Sequence, residues 1–242
     1  MASEKTAIFR VFGFLLLPFM YFVARYVLHG TENVPKSGAF VLSPNHYSNI
    51  DPVVIGVGMW KVGRMPRYLA KASLFRVPVL GWMLRAAGQV PVERAGGDRT
   101  SDPLAAARAI ADNGFAVVIY PEGSLTRDPN SWPMRGKFGA VRTALEADIP
   151  LIPAASWGAQ EILPRYSKRI SLFPRKTVHI RFGTPLDLSE FAGKTLDSAT
   201  LAQATEKLMK EITALVAELR GENPPLERWD PSKHGQSEIG KF

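Results

Sequence analysis

The stretch GAFVLSPNHYSNIDPVVIGVGMW, residues 38–60, contains the pattern that decides the fold. It opens with GAFVLSPN, a short apolar run that ends in turn-forming residues. It closes with DPVVIGVGMW, which has the apolar content of a helix. A short apolar run bounded by turn residues is typical of a buried strand. The stretch therefore predicts a strand, a polar turn and a helix.

The same alternation continues along the rest of the chain. Helices are predicted for VPVLGWMLRAAG, SDPLAAARAIADNG, KFGAVRTALEAD and residues 200–220, and strands for QVPVE, FAVVIY, IPLIPAAS and TVHIRFG. The clearest helix has Asp102 as a candidate cap, Pro103 at its first position and Gly114 past its end. Strands that alternate with helices predict an α/β fold with a mainly parallel sheet covered by helices.

Composition limits both the domain organisation and the chemistry. We expect an N-terminal helical segment at residues 1–29, an α/β domain at residues 30–221 and a polar tail at residues 222–242 that docks loosely or stays mobile. The absence of cysteine excludes disulfides, thiolate metal sites and cysteine nucleophiles. The formal net charge of +8 favours an anionic partner, which could be a nucleic acid, a phosphorylated substrate or an acidic membrane surface.

The N-terminal segment contains VFGFLLLPFMYFVA, an uncharged run between Arg10 and Arg25 that is rich in Phe. It is too short for a membrane-crossing helix, which needs about 20 apolar residues. Its basic and aromatic flanks favour a segment that lies in the membrane interface. We expect Pro18 to divide it into two short helices in one leaflet. The alternative is a helix that packs in the core of the domain.

Two side chains in the turn, His46 and Asp51, are the first candidates for catalysis. A neutral imidazole can take a proton from a hydroxyl near pH 7 if its tautomer and orientation are fixed. If Ser48 or Asn49 caps the following helix, Asp51 lies in the first turn and can accept a hydrogen bond from the imidazole. The alternatives are a capping aspartate beside a surface histidine, or a metal site for which no third ligand is evident nearby.

Three further stretches contain groups suited to an anion. VERAGG places Arg94 beside glycines, YPEGSLTRD combines a carboxylate, a glycine and two hydroxyls with Arg127, and RGKFGA places Lys137 at the start of a helix. Guanidinium groups, turn N–H groups and helix N-termini all favour phosphate. In open α/β sheets, ligands bind beyond the carboxyl ends of the strands. Each stretch could also be a solvated loop, but together they predict an anion site near His46.

The order of these stretches resembles that of the glycerolipid acyltransferases, the family typified by 1-acylglycerol-3-phosphate acyltransferases. Over residues 30–183, NHYSNID resembles the family's N-H-x4-D block, and GQVPVER, YPEGSLTR and LIPAA resemble its second, third and fourth blocks. The resemblance implies that His46 and Asp51 form the catalytic pair. The candidates for binding the substrate phosphate are then Arg94, Glu122, Gly123, Ser124, Arg127, Lys137 and Lys71.

Two departures from the family pattern concern this phosphate site. Glu93 stands where the second block usually has an aspartate, which keeps the charge but lengthens the arm. In the third block the usual arginine follows the glycine by two positions, whereas Leu125 and Thr126 come before Arg127 in this chain. The resemblance therefore does not fix the role of Arg127.

The resemblance implies a membrane-associated acyltransferase that moves a fatty acyl chain from acyl-CoA or acyl carrier protein to lysophosphatidic acid. We expect it on the inner (plasma) membrane, attached to the anionic surface with its catalytic domain on the cytoplasmic side, and without a metal or other cofactor. The alternatives are glycerol 3-phosphate or another lysolipid as acceptor, or a non-catalytic lipid-binding protein. A nucleic-acid partner is not expected, because its basic residues should alternate with exposed aromatics, whereas Phe and Tyr cluster here in the N-terminal segment.

Overall fold

In the computed structural model, which describes residue 4, residues 7–92 and residues 103–237, a single seven-stranded sheet organises the described chain. The strands lie in the order β1-β7-β6-β2-β5-β3-β4. In chain order they are β1 (Ala24–His29), β2 (Phe40–Pro44), β3 (Pro66–Lys71), β4 (Val90–Val92), β5 (Ala116–Val118), β6 (Leu151–Trp157) and β7 (Lys176–Phe182).

Helices cover both faces of this sheet. Side chains alternate along β2, so that Phe40 and Leu42 pack in the core that contains α1 and α2, whereas Val41 packs against α5 and α7 on the other face. The predicted α/β fold class is therefore confirmed. The helices are α1 (Ala7–Val23), α2 (Asp51–Lys61), α3 (Pro78–Ala86), α4 (Pro103–Asp112), α5 (Gly139–Ala147), α6 (Ala159–Ile162) and α7 (Ser198–Arg220).

The sheet is mainly parallel, but one edge of it runs the opposite way. The five strands from β6 to β4 are parallel to one another, whereas β7 is antiparallel to β6 and β1 is parallel to β7. The sequence prediction assigned residues 24–29 to a helical segment, whereas Ala24–His29 forms the edge strand β1. Pairing with β7 along its whole length holds this segment in the sheet, and Tyr26 is buried in the core.

The N-terminal helix α1 differs in one respect from the prediction. A single helix runs through Pro18, so the predicted division into two short helices is wrong. Packing compensates for the hydrogen bond that proline removes, because Met20 and Val23 are buried in the core. The outer side of the same helix exposes large apolar side chains, among which Phe14 is 79% exposed and Phe19 is 50% exposed. The buried side of α1 agrees with the alternative of a core helix, whereas attachment to the membrane interface stays a prediction.

No helix within the described ranges is long and apolar enough to cross a membrane.

The polar tail contacts the domain near residue 135, where the Trp229 carbonyl accepts the Arg135 N–H at 2.9 Å. Arg135 also forms an ion pair with Asp230 at 3.2 Å. Leu226, by contrast, is fully exposed.

The sheet brings several polar turns to a single edge. His46 follows β2, the segment that begins at Tyr120 follows β5, and both strands are parallel and adjacent. Parallel strands place their carboxyl ends at the same edge, where ligands bind in open α/β sheets. This edge contains the candidate site.

Candidate active site

The turn between β2 and α2 brings His46 and Asp51 into contact. His46 Nδ1 lies 3.0 Å from Asp51 Oδ2, and the same oxygen accepts the N–H groups of Tyr47 at 2.7 Å and Ser48 at 2.8 Å. Asp51 is fully buried, whereas the His46 side chain is 14% exposed. An ionised carboxylate can only accept hydrogen bonds, so Nδ1 carries the proton and Nε2 remains as the basic nitrogen.

The start of α2 explains how the chain holds this carboxylate. The predicted caps Ser48 and Asn49 are wrong, because Ile50 occupies the N-cap position without a side-chain hydrogen bond. Ser48 Oγ instead donates to the Leu163 carbonyl at 2.6 Å. Asp51 is the first helical residue, and its carboxylate reaches back to the N–H groups of Tyr47 and Ser48, which ties the turn to the start of the helix. A negative charge at this end of the helix is also favoured by the helix dipole.

The His46 ring stacks on Tyr120, with ring centroids 4.1 Å apart and an interplanar angle of 29°. Burial, with a smaller contribution from the charge of Asp51, raises the pKa of Tyr120 and of its neighbours Tyr47 and Tyr68. All three phenols therefore stay protonated near neutral pH, and none competes with His46 as a base. Sequence reasoning missed Tyr120, although its position at the end of the buried run FAVVIY placed it at the correct edge.

Glu122, predicted to bind the substrate phosphate, lies inside the protein instead. Its Oε1 accepts the His46 N–H at 2.8 Å and its Oε2 accepts the Met134 N–H at 3.0 Å. The residue is fully buried, and burial raises its pKa to about 8 although these hydrogen bonds lower it. An acidic group with this environment suits the support of the His46 backbone and does not suit a phosphate, so this part of the prediction is corrected.

Gly123 and Lys137 come together as the sequence suggested. Gly123 has a positive φ of 71°, and a Cβ atom there would lie 3.1 Å from Lys137 Cδ. The Lys137 N–H donates to the Pro121 carbonyl at 2.7 Å, which fixes the lysine backbone beside this turn. Lys137 lies two residues before α5, so it can add its charge to that of the helix N-terminus. Ser124 is largely buried in the same turn.

Arg127, a second predicted phosphate ligand, is 1% exposed. Its guanidinium lies 5.7 Å from the centre of the Tyr166 ring. Arg165 holds the loop around it, since Arg165 Nη1 donates to the carbonyls of Thr126 and Asp128 at 2.6 Å each. The structure therefore places the Arg127 side chain in the protein interior, and its contact with a substrate phosphate stays a prediction. Neither Arg165 nor Tyr166 was identified from the sequence, because they lie beyond the short helix α6 and do not directly follow a strand.

Of the other two predicted phosphate ligands, the structure describes the position of Lys71 alone. Lys71 is the last residue of β3, whose carboxyl end lies at the same edge as that of β2. Arg94 lies outside the described residues, so its role stays a prediction. Within the described ranges, no cluster of three His, Asp or Glu side chains could hold a metal ion.

This fold and site define an α/β protein whose histidine–aspartate pair lies at the carboxyl edge of the sheet, beside a lysine and a glycine turn suited to an anion. A family model described as Acyltransferase matches residues 25–157, more than half of the chain. The chain therefore belongs to this acyltransferase family.

Two curated relatives and one solved structure support the assignment. The 1-acyl-sn-glycerol-3-phosphate acyltransferase of Bacillus subtilis (strain 168) is 30% identical over 190 residues, which cover 78% of this chain and 86% of that protein. The chloroplastic enzyme BAT2 of Brassica napus, with the same activity in its name, is 28% identical over 144 residues, or 59% of this chain. The chain spans only 40% of the length of that plant protein.

The crystal structure of the 1-acyl-sn-glycerophosphate (LPA) acyltransferase PlsC from Thermotoga maritima has the same fold. The TM-score is 0.66, the sequence identity is 22%, and the alignment covers 94% of this chain and 83% of that one. At this identity the comparison establishes the fold.

Proposed function

We propose that the protein transfers a fatty acyl group from a thioester donor to the free hydroxyl of 1-acylglycerol 3-phosphate, and so forms phosphatidic acid. The observation that carries the proposal is the hydrogen bond between His46 Nδ1 and the buried carboxylate of Asp51, which leaves Nε2 as a base. The names of the relatives in Bacillus subtilis and Brassica napus support this acceptor.

His46 acts as the general base in this proposal. Nε2 takes the proton of the acceptor hydroxyl as the oxygen attacks the thioester carbonyl. The tetrahedral intermediate then expels the thiolate, which takes the proton from the imidazolium, so that the products are an ester and a free thiol. Asp51 stabilises the imidazolium throughout, because its charge is buried and cannot be screened by water. The step needs no acyl-enzyme.

Recognition of the phosphate is assigned to Lys137, the Gly123 turn and Arg94. The Lys137 side chain lies where a Cβ atom at Gly123 would approach it to 3.1 Å, close to the N-terminus of α5. Arg94 follows β4, which is parallel to β3, and the resemblance of GQVPVER to the second family block supports its role. Anchoring the phosphate would orient the hydroxyl toward His46, and such positioning can remove several kcal/mol of the barrier.

The donor and the cellular location belong to the same proposal. Acyl-CoA and acyl carrier protein are both anionic thioesters, and the net charge of +8 suits either of them. The exposed apolar side of α1, which includes Phe14 and Phe19, supports attachment to the inner membrane from the cytoplasmic side.

A turnover assay tests the function directly. Purified full-length protein is incubated with labelled acyl-CoA and with a panel of acceptors that contains lysophosphatidate, glycerol 3-phosphate and a neutral lysolipid. We expect labelled phosphatidate, and we expect it to disappear with Asp51→Asn. Protein that binds lysophosphatidate but transfers no label from acyl-CoA or acyl carrier protein would be a lipid-binding protein, and the proposed reaction would be wrong.

A further inference from the structure

The start of α3 exposes an uninterrupted run of apolar residues. Residues 77–80, with the sequence VPVL, are all exposed. Val79 is 71% exposed and Trp82, on the next turn, is 58% exposed. Together with Leu74 in the preceding 3₁₀ turn, these residues form a surface that we call the apolar wedge, residues 74–82. Single exposed apolar residues are common, but a contiguous set of this size indicates a binding surface.

The wedge is rigidly built. A Cβ atom at Gly81 would lie 2.1 Å from the Phe75 carbonyl oxygen, so only glycine allows α3 to pack this closely on the 3₁₀ turn. Arg85 Nη1 donates to the same carbonyl at 2.9 Å, and the Phe75 side chain is 8% exposed. The apolar side chains are therefore held outward by a fixed scaffold.

The chain segment that contains the wedge carries charge of one sign. Residues 52–92 contain six basic residues and no acidic residue. Arg76 belongs to the wedge and Arg85 lies three residues after it, and both are exposed. An apolar surface with an aromatic residue and flanking arginines matches the composition of elements that bind anionic membrane interfaces.

The distribution of the apolar side chains distinguishes a bilayer from a protein groove. A helix that binds a groove presents one stripe, with residues spaced by three or four positions. The exposed helical residues 78, 79, 80 and 82 instead span about 200° of the helix circumference at 100° per residue, and Gly81 faces the domain. A short element whose exposed side is apolar over this width suits insertion into an apolar medium.

The wedge also lies near the candidate active site. It follows β3, which is separated from β2 by β5 alone, and the three strands are parallel. At about 4.8 Å between neighbouring strands, the base of the wedge lies about 10 Å across the sheet from the strand that leads to His46.

We propose that the apolar wedge inserts into an anionic bilayer and holds the edge of the sheet that contains His46 against the lipid headgroups. The inference rests on the proposed function to the extent that the acceptor is a membrane lipid. It adds a membrane contact separate from α1, on a different part of the chain.

Vesicle flotation with full-length protein tests the wedge. The vesicles contain phosphatidylcholine alone or with one fifth phosphatidylglycerol, and the variants are the double variant V79S/W82S and the control L226S, which alters an apolar side chain exposed in the tail. Full burial of a large apolar side chain is worth about 1.5–3 kcal/mol, so we expect V79S/W82S to lower the partition coefficient at least ~10-fold and L226S to leave it unchanged. Brominated lipid chains should quench tryptophan fluorescence in the wild type and quench it much less in W82F.

Several outcomes would contradict the proposed insertion of the wedge. These are wild-type partitioning of V79S/W82S, an equal loss in L226S, quenching that is the same in W82F, or wild-type protein that dimerises through this surface and ignores vesicles. Turnover of a short-chain lysophosphatidate in solution, measured in parallel, separates the two proposals. If the protein turns over substrate but V79S/W82S binds vesicles as the wild type does, only the proposed insertion of the wedge is wrong. If vesicle binding depends on the wedge but no acceptor is turned over, only the proposed function is wrong.

Discussion

Two regions of the molecule depart from the usual distribution of side chains. The turns beside the sheet bury ionisable residues, whereas the outer surfaces of α1 and of the apolar wedge expose apolar ones. At the turns, the charged residues Asp51, Glu122 and Arg127 are all at most 1% exposed. On the outer surface, Phe14 and Val79 are more than two thirds exposed. Buried charge and exposed apolar surface both cost free energy of folding, so each marks a place where function constrains the sequence. The buried side holds a base in position, and the exposed side suits a lipid surface.

The largest effect should come from the base itself. His46→Ala should lower turnover by at least ~10²-fold with the fold intact, since a positioned general base contributes about 10² to 10⁴ in rate. Circular dichroism checks the fold, and His234→Ala, in the tail, serves as the matched control. Near-normal turnover by a folded His46→Ala protein would show that another group removes the proton.

Glu122 tests whether a buried carboxyl group supports the turn. Glu122→Ala leaves two buried N–H groups, of His46 and Met134, without their acceptor, at about 1–3 kcal/mol of unfolding free energy for each. Urea denaturation should therefore show a strong loss of stability together with a loss of turnover. A stable Glu122→Ala protein would mean that these hydrogen bonds do not hold the turn.

The pH dependence of stability is a second test of the burial of Glu122. Burial raises the pKa of Glu122 from 4.5 to about 8, so between these values the folded protein keeps a proton that the unfolded chain has released. The free energy of unfolding should then fall as pH rises through this window. Glu122→Gln has no proton to lose and should give a flatter profile between pH 5 and 8. Parallel profiles for the two proteins would contradict the raised pKa.

Arg94 tests whether the arginine of the second family block, and not the buried Arg127, binds the acceptor. Arg94→Ala should raise the KM for lysophosphatidate about tenfold and leave the KM for acyl-CoA unchanged, and Arg94→Lys should rescue it partly, because an ammonium lacks the planar fork. Steady-state kinetics with each substrate varied would measure both constants. A rise in the KM for acyl-CoA alone would indicate that Lys137, and not Arg94, binds the phosphate of the acceptor.

The smallest effect is expected from the exposed side of α1. F14S/F19S should lower activity on liposomes several-fold and leave activity on detergent-dispersed lysolipid unchanged, because these rings are exposed and contribute little to the core. Equal activity on both substrates would exclude α1 from membrane contact. Deletion of residues 1–28 is a poorer test, since it also removes buried Met20 and Val23 and most of β1, and the truncated protein should be unstable.

The sequence predicted the parts of the site that depend on local spacing. His46 and Asp51 meet across one tight turn, so their contact follows from the chain between them. Glu122 was misassigned because its partners His46 and Met134 lie 76 and 12 residues away, and only the tertiary structure shows that its carboxylate faces inward. The burial of Arg127 depends in the same way on Arg165 and the loop after β6. Predictions thus failed where long-range packing decides which way a polar side chain points.

For the fold, too, features set by local sequence were predicted and features set by long-range contacts were not. Four of the five parallel strands and the helices between them were predicted, because each has its own apolar pattern and turn signals, whereas β3 was not. Strand β1 was also missed, since it follows the apolar α1 directly and, among the strands that the structure describes, it pairs with β7 alone. The exposed faces of α1 and the wedge were also hidden, because composition does not show which side of a helix the core covers.

The pairing of β1 with β7 also sets an order of events during synthesis. Ala24 pairs with Lys176, so the first strand waits for about 150 further residues before its partner leaves the ribosome. At about 5–20 residues per second this delay lasts on the order of 10–30 s. During that interval β1, which follows α1 directly, has no partner strand, so the apolar side of α1 that includes Met20 and Val23 is not yet fully covered and is available to a nearby bilayer. The chain can therefore meet the membrane before its catalytic domain has folded.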